Sequence, residues 1–259
     1  MKISIIASCF ACVLAAPHVF AVDLIGQTVS KSPLNIVSEI NGVLLSADLE
    51  AGETVHAEQI IAQIKPSDFE LEVAKQRANV ELTQADLKLK LSIYQRYQTL
   101  KSKNSLSVND LDIAKAEYLN AKARLKLANI EQKKASQDLL NTSITAGIDG
   151  YVVSRAANRG AWVSQGELLY KLVNTDTLIV RLSASEQDLI QLEVGQPIEF
   201  WAEAAPKTQM RATIKRIGVE IDPQTLAYPV ELEFDNQKTQ FQPGMSIYAT
   251  TQLTSNSAQ

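Results

Sequence analysis

Apolar residues recur with helical spacing from Ser67 to Leu100, in a stretch without glycine or proline that is rich in strong helix formers. The mean step between these residues is about 3.6, which predicts a long and nearly straight amphipathic helix. Its apolar stripe consists of Leu71, Ala74, Ala78, Leu82, Ala85, Leu89, Ile93 and Leu100, with Arg96 interposed.

A second helix is predicted to begin at Ser107, whose hydroxyl is suited to capping the first helical turn. Its apolar stripe alternates steps of three and four residues, as in a coiled-coil seam, and alanine occupies every second position. The stripe consists of Leu111, Ala114, Tyr118, Ala121, Leu125, Ala128, Gln132, Ala135 and Leu139. Because the connection between the helices is short, we expect an antiparallel hairpin with arms of roughly 55 Å.

Two 24-residue stretches, 41–64 and 149–172, follow one pattern at a constant offset of 108 residues. Each begins with a glycine in an NG or DG turn, continues with three apolar residues and a second glycine, and ends in another apolar strand. Neither copy alone can bury its apolar face. We therefore expect the two copies to pair about a pseudo-twofold axis as halves of one β-sandwich, with the hairpin inserted between them.

The last third of the chain alternates apolar and polar residues between closely spaced turn residues. This pattern predicts a small β-barrel over 177–254, with a single short helical segment near Ser185–Leu192. The predicted fold class is therefore mixed α/β and mainly β.

The first 21 residues have the features of a secretory signal peptide. Lys2 precedes an apolar run from Ile3 to Ala16, and Val19-Phe20-Ala21 suits cleavage near Ala21. A retained membrane anchor is the alternative, although the apolar run is shorter than the ~20 residues that a membrane span needs. We therefore expect an exported chain.

Little catalytic chemistry remains after export. Cys9, Cys12 and His18 fall within the signal peptide, which leaves His56 as the only histidine. Without cysteine and with one histidine, the chain offers neither a histidine-based triad nor a zinc cluster. We expect no enzyme activity, and no catalytic, cofactor-binding or metal-binding residues.

Two further observations limit the partners and the metal ions that the chain could bind. Removing Lys2 takes the formal charge from −4 to −5, and no basic stripe is present, so no nucleic-acid partner is expected. Met210 and Met245 are the only methionines beyond residue 1, and two methionines alone make a poor soft-metal site.

The doubled glycine pattern resembles the biotinyl/lipoyl fold split by a helical hairpin, the arrangement of periplasmic adaptor subunits, also called membrane fusion proteins. The segment TSITAGIDGYVVSRAANRGAWVSQGELL is similar to the family's second half, and the first copy departs from the pattern at Glu58, where the second has Gly166. The run at Ser185–Leu189, Gly195-Gln196 and Pro243–Met245 resembles the adaptor β-barrel. The resemblance implies a lipoyl-like sandwich split by a coiled-coil hairpin, with the hairpin in place of the carrier lysine and hence no cofactor.

Arg96, Leu100 and Ser107 follow the spacing R-x3-L-x6-S, which resembles the one that adaptor hairpins use to contact TolC-type outer-membrane channels. By this resemblance Arg96 donates charge-assisted hydrogen bonds to the channel, Leu100 is an apolar knob and Ser107 makes a small polar contact. Structural roles remain as alternatives: Arg96 is favourable near the negative end of the helix dipole, Leu100 can close the loop, and Ser107 is an N-cap.

The resemblance further implies an adaptor between an inner-membrane transporter, of resistance-nodulation-division (RND) type, and a TolC-type channel. Self-association into a hexamer or a trimer of dimers would form a conduit. An adaptor of an ABC-type exporter, for macrolides or secretion, is the alternative. A lipoyl- or biotinyl-like carrier, or an enzyme-accessory domain, is a more remote one.

The predicted organisation places little chain after the barrel. We therefore expect the membrane-proximal domain of many adaptors to be absent or rudimentary. The predicted segments are a signal peptide (1–21), an N-terminal segment (22–33), sandwich halves (34–66 and 142–176), the hairpin (67–141), the barrel (177–254) and a tail (255–259).

Overall fold

The computed structural model describes residues 21–103, 105, 107–237 and 241–253. The predicted signal peptide up to residue 20, Asn104 and Leu106 of the predicted break between the helices, and the predicted tail lie outside the described residues. The chain divides into two compact units. One holds the described residues up to Lys31 together with those from Asp176 onward, and the other holds those of Ser32–Thr175.

Within the described residues the chain forms fourteen strands and three helices. The strands are β1 (Asp23–Ser30), β2 (Leu34–Val37), β3 (Gly42–Ser46), β4 (Thr54–Val55), β5 (Ile60–Ile64), β6 (Ser143–Thr145), β7 (Gly150–Arg155), β8 (Trp162–Val163), β9 (Leu168–Val173), β10 (Thr177–Ala184), β11 (Pro197–Ala202), β12 (Met210–Ile217), β13 (Tyr228–Asp235) and β14 (Ser246–Thr250). The helices are α1 (Ser67–Ser102), α2 (Val108–Leu140) and α3 (Glu186–Leu189).

The sandwich consists of two four-stranded sheets, ordered β2-β9-β7-β4 and β6-β5-β3-β8. Each sheet takes strands from both copies of the repeat, so that β3 of the first copy pairs with β8 of the second and β4 pairs with β7. The predicted pairing of the two halves is therefore confirmed. Their shared core includes Leu44, Val55, Ile64, Val163, Leu169, Tyr170 and Leu172.

Reciprocal backbone hydrogen bonds establish the pseudo-twofold relationship. Each bond from one copy to the other has a counterpart in which donor and acceptor are shifted by 108 residues in opposite directions. Two of these pairs are Glu58 N–H to Ala146 O (2.8 Å) with Gly166 N–H to Ser38 O (2.7 Å), and Gly52 N–H to Val152 O (2.8 Å) with Gly160 N–H to Leu44 O (2.7 Å).

The hairpin leaves and re-enters the sandwich through neighbouring strands. β5 ends at Ile64 and β6 begins at Ser143, and the two strands pair antiparallel with Gln63 opposite Ser143. The α1–α2 hairpin thus occupies the place of a β-turn between two paired strands, as the sequence predicted.

The remaining strands close into a six-stranded barrel, ordered β1-β10-β13-β12-β11-β14, with β14 pairing back to β1. Phe200 and Phe234 meet edge to face in its core, with ring centroids 5.1 Å apart. Ser185 and Asp188 form a capping box at the start of α3, within the predicted helical segment.

The barrel differs from expectation in one strand. Residues 22–33, expected to precede the first strand, contain β1, which pairs with β10 on one side and β14 on the other. Gly26 permits this close pairing, because a Cβ there would lie 2.0 Å from the carbonyl oxygen of Arg181. With that correction, the predicted fold class is confirmed: a mainly β protein with a split sandwich, a long helical hairpin and a small barrel.

Candidate functional site

The candidate site is the free end of the hairpin, which α1 and α2 hold in place by packing against each other. The predicted stripe of α2 is confirmed, because its four alanines, seven residues apart, are buried: Ala114, Ala121, Ala128 and Ala135. Small side chains at these positions let the helix backbones approach closely. The larger stripe residues between them are half-buried.

The predicted stripe of α1 is wrong for most of its length. Leu71 and Leu82 are each 70% exposed and Leu89 is 57% exposed, and no residue of α1 is fully buried. The half-buried line of α1 instead contains Val73, Gln76, Val80, Thr83, Leu87, Lys90, Tyr94 and Tyr97. Because the half-buried line includes polar residues, its hydrophobic periodicity is weaker than that of the exposed line.

Specific contacts join the helices on the half of the hairpin nearer the tip. The rings of Tyr94 and Tyr118 stack with centroids 5.7 Å apart and an angle of 8° between their planes. Lys90 Nζ donates a hydrogen bond of 2.8 Å to Glu117 Oε2, and this bond raises the pKa of the Lys90 ammonium. Tyr118 was predicted as a stripe residue of α2, but Lys90, Tyr94 and Glu117 were not predicted, since neither pair is visible from spacing within one helix.

The chain reverses direction through a short, hydrogen-bonded tip. The carbonyl oxygen of Leu100 accepts hydrogen bonds from the backbone N–H groups of Lys103 (3.2 Å) and Ser105 (3.0 Å). Ser107 then begins α2 as its N-cap, and its Oγ accepts a hydrogen bond of 3.2 Å from the backbone N–H of Asn109. Backbone hydrogen bonds and the Ser107 cap therefore stabilise the described part of the tip.

The three predicted site residues all lie in this region. Arg96 is exposed about two turns before the end of α1, Leu100 is half-buried in the last turn, and Ser107 is exposed at the start of α2. Lys101 in the last turn adds a second cation next to the negative end of the helix dipole. The cap predicted for Ser107 is confirmed. A channel contact by the three residues remains a prediction.

The described residues show no alternative chemical centre. No group of three or more His, Cys, Asp or Glu side chains within them is arranged to hold a metal ion. His56 Nδ1 lies 3.4 Å from Asp149 Oδ1, and both side chains are largely exposed. Among the described helices, none combines the length and the apolar character that crossing a membrane requires.

Family models match both units of the chain. The model described as "RND MFP, barrel-sandwich hybrid domain" matches residues 33–175, and the one described as "CusB-like, beta-barrel domain" matches residues 178–257. The multidrug resistance protein MdtA of Escherichia coli (strain 55989 / EAEC) is 24% identical over 233 residues, which are 87% of this chain and 56% of MdtA. The chain thus spans a little over half the length of the curated relatives it matches.

Solved structures share the fold. A MacA–MexA chimeric protein that contains the α-hairpin domain of Pseudomonas aeruginosa MexA superposes with a TM-score of 0.67 at 22% identity, covering 89% of this chain and 78% of the chimera. The membrane fusion protein Spr0693 from Streptococcus pneumoniae R6 superposes with a TM-score of 0.69 at 18% identity, covering 88% of this chain and 97% of Spr0693. The split sandwich, hairpin and barrel are therefore a recurring arrangement.

Proposed function

We propose that this chain, which belongs to the membrane fusion protein family of periplasmic adaptors, links an inner-membrane transporter to a TolC-type outer-membrane channel in an efflux system. The observation that carries the proposal is the projecting hairpin with Arg96, Leu100 and Ser107 at its free end. Arg96 is exposed and available to a channel partner, Leu100 is half-buried, and Ser107 also serves as the N-cap of α2. The role is mechanical, and no catalytic activity is expected.

An RND-type transporter is the proposed inner-membrane partner. The barrel-sandwich model that supports this choice carries the RND description and matches more than half of the chain. By analogy with the name of MdtA, drug-like small molecules are the proposed cargo. Residues 1–21 would direct export, and the chain would act in the periplasm. Copies of the chain would associate into a hexamer or a trimer of dimers that encloses a conduit.

Efflux measurements in the host test this proposal. The adaptor gene is deleted alone and together with the gene of each RND-type and ABC-type transporter in turn, and the accumulation of a fluorescent efflux dye is measured. We expect deletion of the adaptor and of one RND-type transporter to raise accumulation equally, with no further rise in the double deletion. The same result with an ABC-type exporter would assign that class instead. Unchanged tolerance of drugs, dyes and metal salts without the adaptor would contradict an efflux role.

The more remote carrier function makes a separate prediction. A carrier domain of this fold displays its lysine in a tight turn, and here the α1–α2 hairpin occupies the turn between β5 and β6. The intact mass of the chain purified from its host should therefore show no biotinyl or lipoyl adduct. Such an adduct on a lysine would refute the adaptor role.

A further inference from the structure

The outer face of the barrel carries a row of large apolar side chains across three neighbouring strands. Ile25 of β1 lies opposite Tyr248 of β14, and Trp201 of β11 lies opposite Tyr248 on its other side. The rings of Trp201 and Tyr248 stack with centroids 6.5 Å apart, while Ile25 and Tyr248 remain 62% and 40% exposed. A sheet face that is turned to water is usually polar, so this row indicates contact with another molecule.

Two members of this row, Ile25 and Tyr248, lie in the floor of a cavity of about 420 Å³. Gln27, Ser183 and Ser246 complete the floor, which is formed by the outer faces of β1, β10 and β14. Clefts that bind small organic molecules have volumes of this order and combine an apolar surface with a few polar groups. The cavity therefore has the size and the lining of a small-molecule site.

The loop between β12 and β13 forms one wall of the cavity, to which it contributes Asp222, Gln224 and Thr225. An antiparallel bridge between Asp222 and Ala227 closes the loop, and the Asp222 carboxylate accepts a hydrogen bond of 2.8 Å from the backbone N–H of Gln224. Leu226 adopts a left-handed φ of 52°, although its side chain is 79% exposed. The loop thus holds the Asp222 carboxylate in place with backbone strain that burial of Leu226 does not offset.

The cavity has an excess of negative charge. Its described lining includes two carboxylates, Glu203 and Asp222, and one arginine, Arg181, which gives a net charge of −1. Within the described residues neither carboxylate forms an ion pair, whereas Arg181 donates two hydrogen bonds, of 3.2 and 3.0 Å, to Glu231. Glu203 follows β11, next to β14, and Asp222 precedes β13, next to β10, so the two carboxylates approach the floor from opposite sides.

We propose that this cavity binds an organic cation with a flat aromatic body. The positive charge would lie between the carboxylates of Glu203 and Asp222, and the ring system would lie on Tyr248 and Ile25. The face of a tyrosine ring attracts cations and stacks with other aromatic rings. An anion would be repelled by the two carboxylates. The inference deepens the proposed function, on which the role of the bound cation as cargo rests.

Quenching of Trp201 fluorescence tests the binding and locates it. Trp162 and Trp201 are the only tryptophans of the chain, so Trp162→Phe leaves one reporter, which stacks on Tyr248. The full chain is purified from its host and titrated with pyronin Y, a three-ring xanthene cation. We expect saturable quenching. The anion of hydroxyxanthenone, which has the same three rings, should bind roughly tenfold more weakly or less.

Substitutions in the lining separate the two parts of the site. Glu203→Gln with Asp222→Asn removes both charges, while the asparagine oxygen can still accept the hydrogen bond from Gln224. This double variant should bind pyronin Y roughly tenfold more weakly. Tyr248→Leu keeps an apolar side chain without an aromatic face and should weaken binding roughly fivefold. Glu220→Gln makes the same charge change in the same loop, outside the cavity lining, and should leave the affinity unchanged.

Three results would overturn the proposal. Pyronin Y that leaves Trp201 fluorescence unchanged would show that the cavity takes no such cation. Equal affinity for the hydroxyxanthenone anion would show that the carboxylates do not select charge. Unchanged affinity in the double variant or in Tyr248→Leu, with circular dichroism spectra equal to those of the starting chain, would place the bound dye elsewhere.

Efflux of pyronin Y and of Nile red, an uncharged dye, separates this inference from the adaptor role. In the host, the double variant should export less pyronin Y but normal amounts of Nile red, and an equal loss of both dyes would overturn the cargo role. Normal adaptor-dependent efflux without any binding to the purified chain would refute the cavity as a site and leave the adaptor role in place. Binding by a chain whose deletion leaves efflux unchanged would refute the adaptor role and leave the site.

Discussion

Glu58 and Gly166 adopt the same left-handed backbone conformation, with φ angles of 66° and 84°, at positions 108 residues apart. Their N–H groups donate the reciprocal hydrogen bonds that join the two halves of the sandwich. The turn therefore requires a positive φ in both copies. Glycine adopts this conformation freely, whereas a residue with a Cβ is strained in it.

We predict that Glu58→Gly stabilises the sandwich, because it removes the backbone strain at position 58. The greater conformational freedom of glycine in the unfolded chain offsets part of this gain. The expected gain in the free energy of unfolding is up to about 1 kcal/mol. Gly166→Ala is the matched reverse change and should cost about 1 kcal/mol. A Cβ at Gly166 would meet no atom within 4 Å, so this cost reports backbone strain alone. Urea titration followed by circular dichroism measures both, and a loss of stability in Glu58→Gly would contradict the prediction.

The buried alanines of α2 make a second prediction. Ala121 is 3% exposed and lies where the two helices approach closely, so Ala121→Leu should force them apart. Overpacking of this kind costs about 1–3 kcal/mol. Ala116→Leu, at an exposed position of the same helix, is the control and should change stability by less than about 0.5 kcal/mol. Thermal unfolding monitored at the helical band checks the difference, and equal midpoints would mean that the interface has room for leucine.

The contrast between the two arms shows how far the sequence specifies the hairpin. In α2 one line of the right period combines alanines with larger apolar residues, and that line is the packed one. In α1 two lines compete, and the packed line contains Gln76, Thr83 and Lys90. These polar groups are tolerated because the face is only half-buried and Lys90 reaches Glu117. Hydrophobicity alone therefore led to the wrong prediction that the exposed line of α1 packs on α2.

The barrel shows a different limit of prediction from sequence. Strands β10 to β14 follow one another closely and were predicted as a barrel, but β1 closes it from the other end of the chain. Its partners at Leu178–Ser183 and Ser246–Thr250 could not be identified without knowing which edges remain unpaired. In the candidate site, spacing gave Arg96, Leu100 and Ser107, whereas the Tyr94–Tyr118 stack needed the antiparallel register between the helices.

The Glu231 carboxylate makes the stability of the barrel depend on pH. Arg181 and Arg216, its cross-strand neighbours, each donate two hydrogen bonds to its carboxylate. Burial acts to raise the pKa of Glu231, but the hydrogen bonds and charges of the two arginines outweigh it and hold the pKa below the usual 4.5. Since the unfolded carboxyl then binds its proton first, the stabilisation is present above pH 4.5 and is lost as the pH falls through the lowered value.

We therefore expect Glu231→Gln to lower the free energy of unfolding by about 1–2 kcal/mol at pH 7. Its difference from the wild type should shrink as the pH falls below 4.5. Glu220→Gln, at an exposed position of the same unit, should match the wild type throughout. Denaturant titrations from pH 7 to pH 3 measure the effect, and a constant difference across that range would show that the charge of Glu231 is not responsible.

Substitutions at the tip of the hairpin test the proposed channel contact. Arg96→Asp with Leu100→Ser reverses one charge and removes one apolar side chain, but it leaves the Leu100 carbonyl free to accept its two backbone hydrogen bonds. Folding and self-association should therefore persist, while cross-linking to the outer-membrane channel and dye efflux should fall by roughly tenfold or more, as for the loss of central contacts in an interface. Arg77→Asp with Leu140→Ser changes the same residue types at exposed positions away from the tip and should retain both activities. If the tip variant still exports dye at the wild-type rate, Arg96 and Leu100 do not contact the channel, and their placement follows from helix termination and loop closure alone.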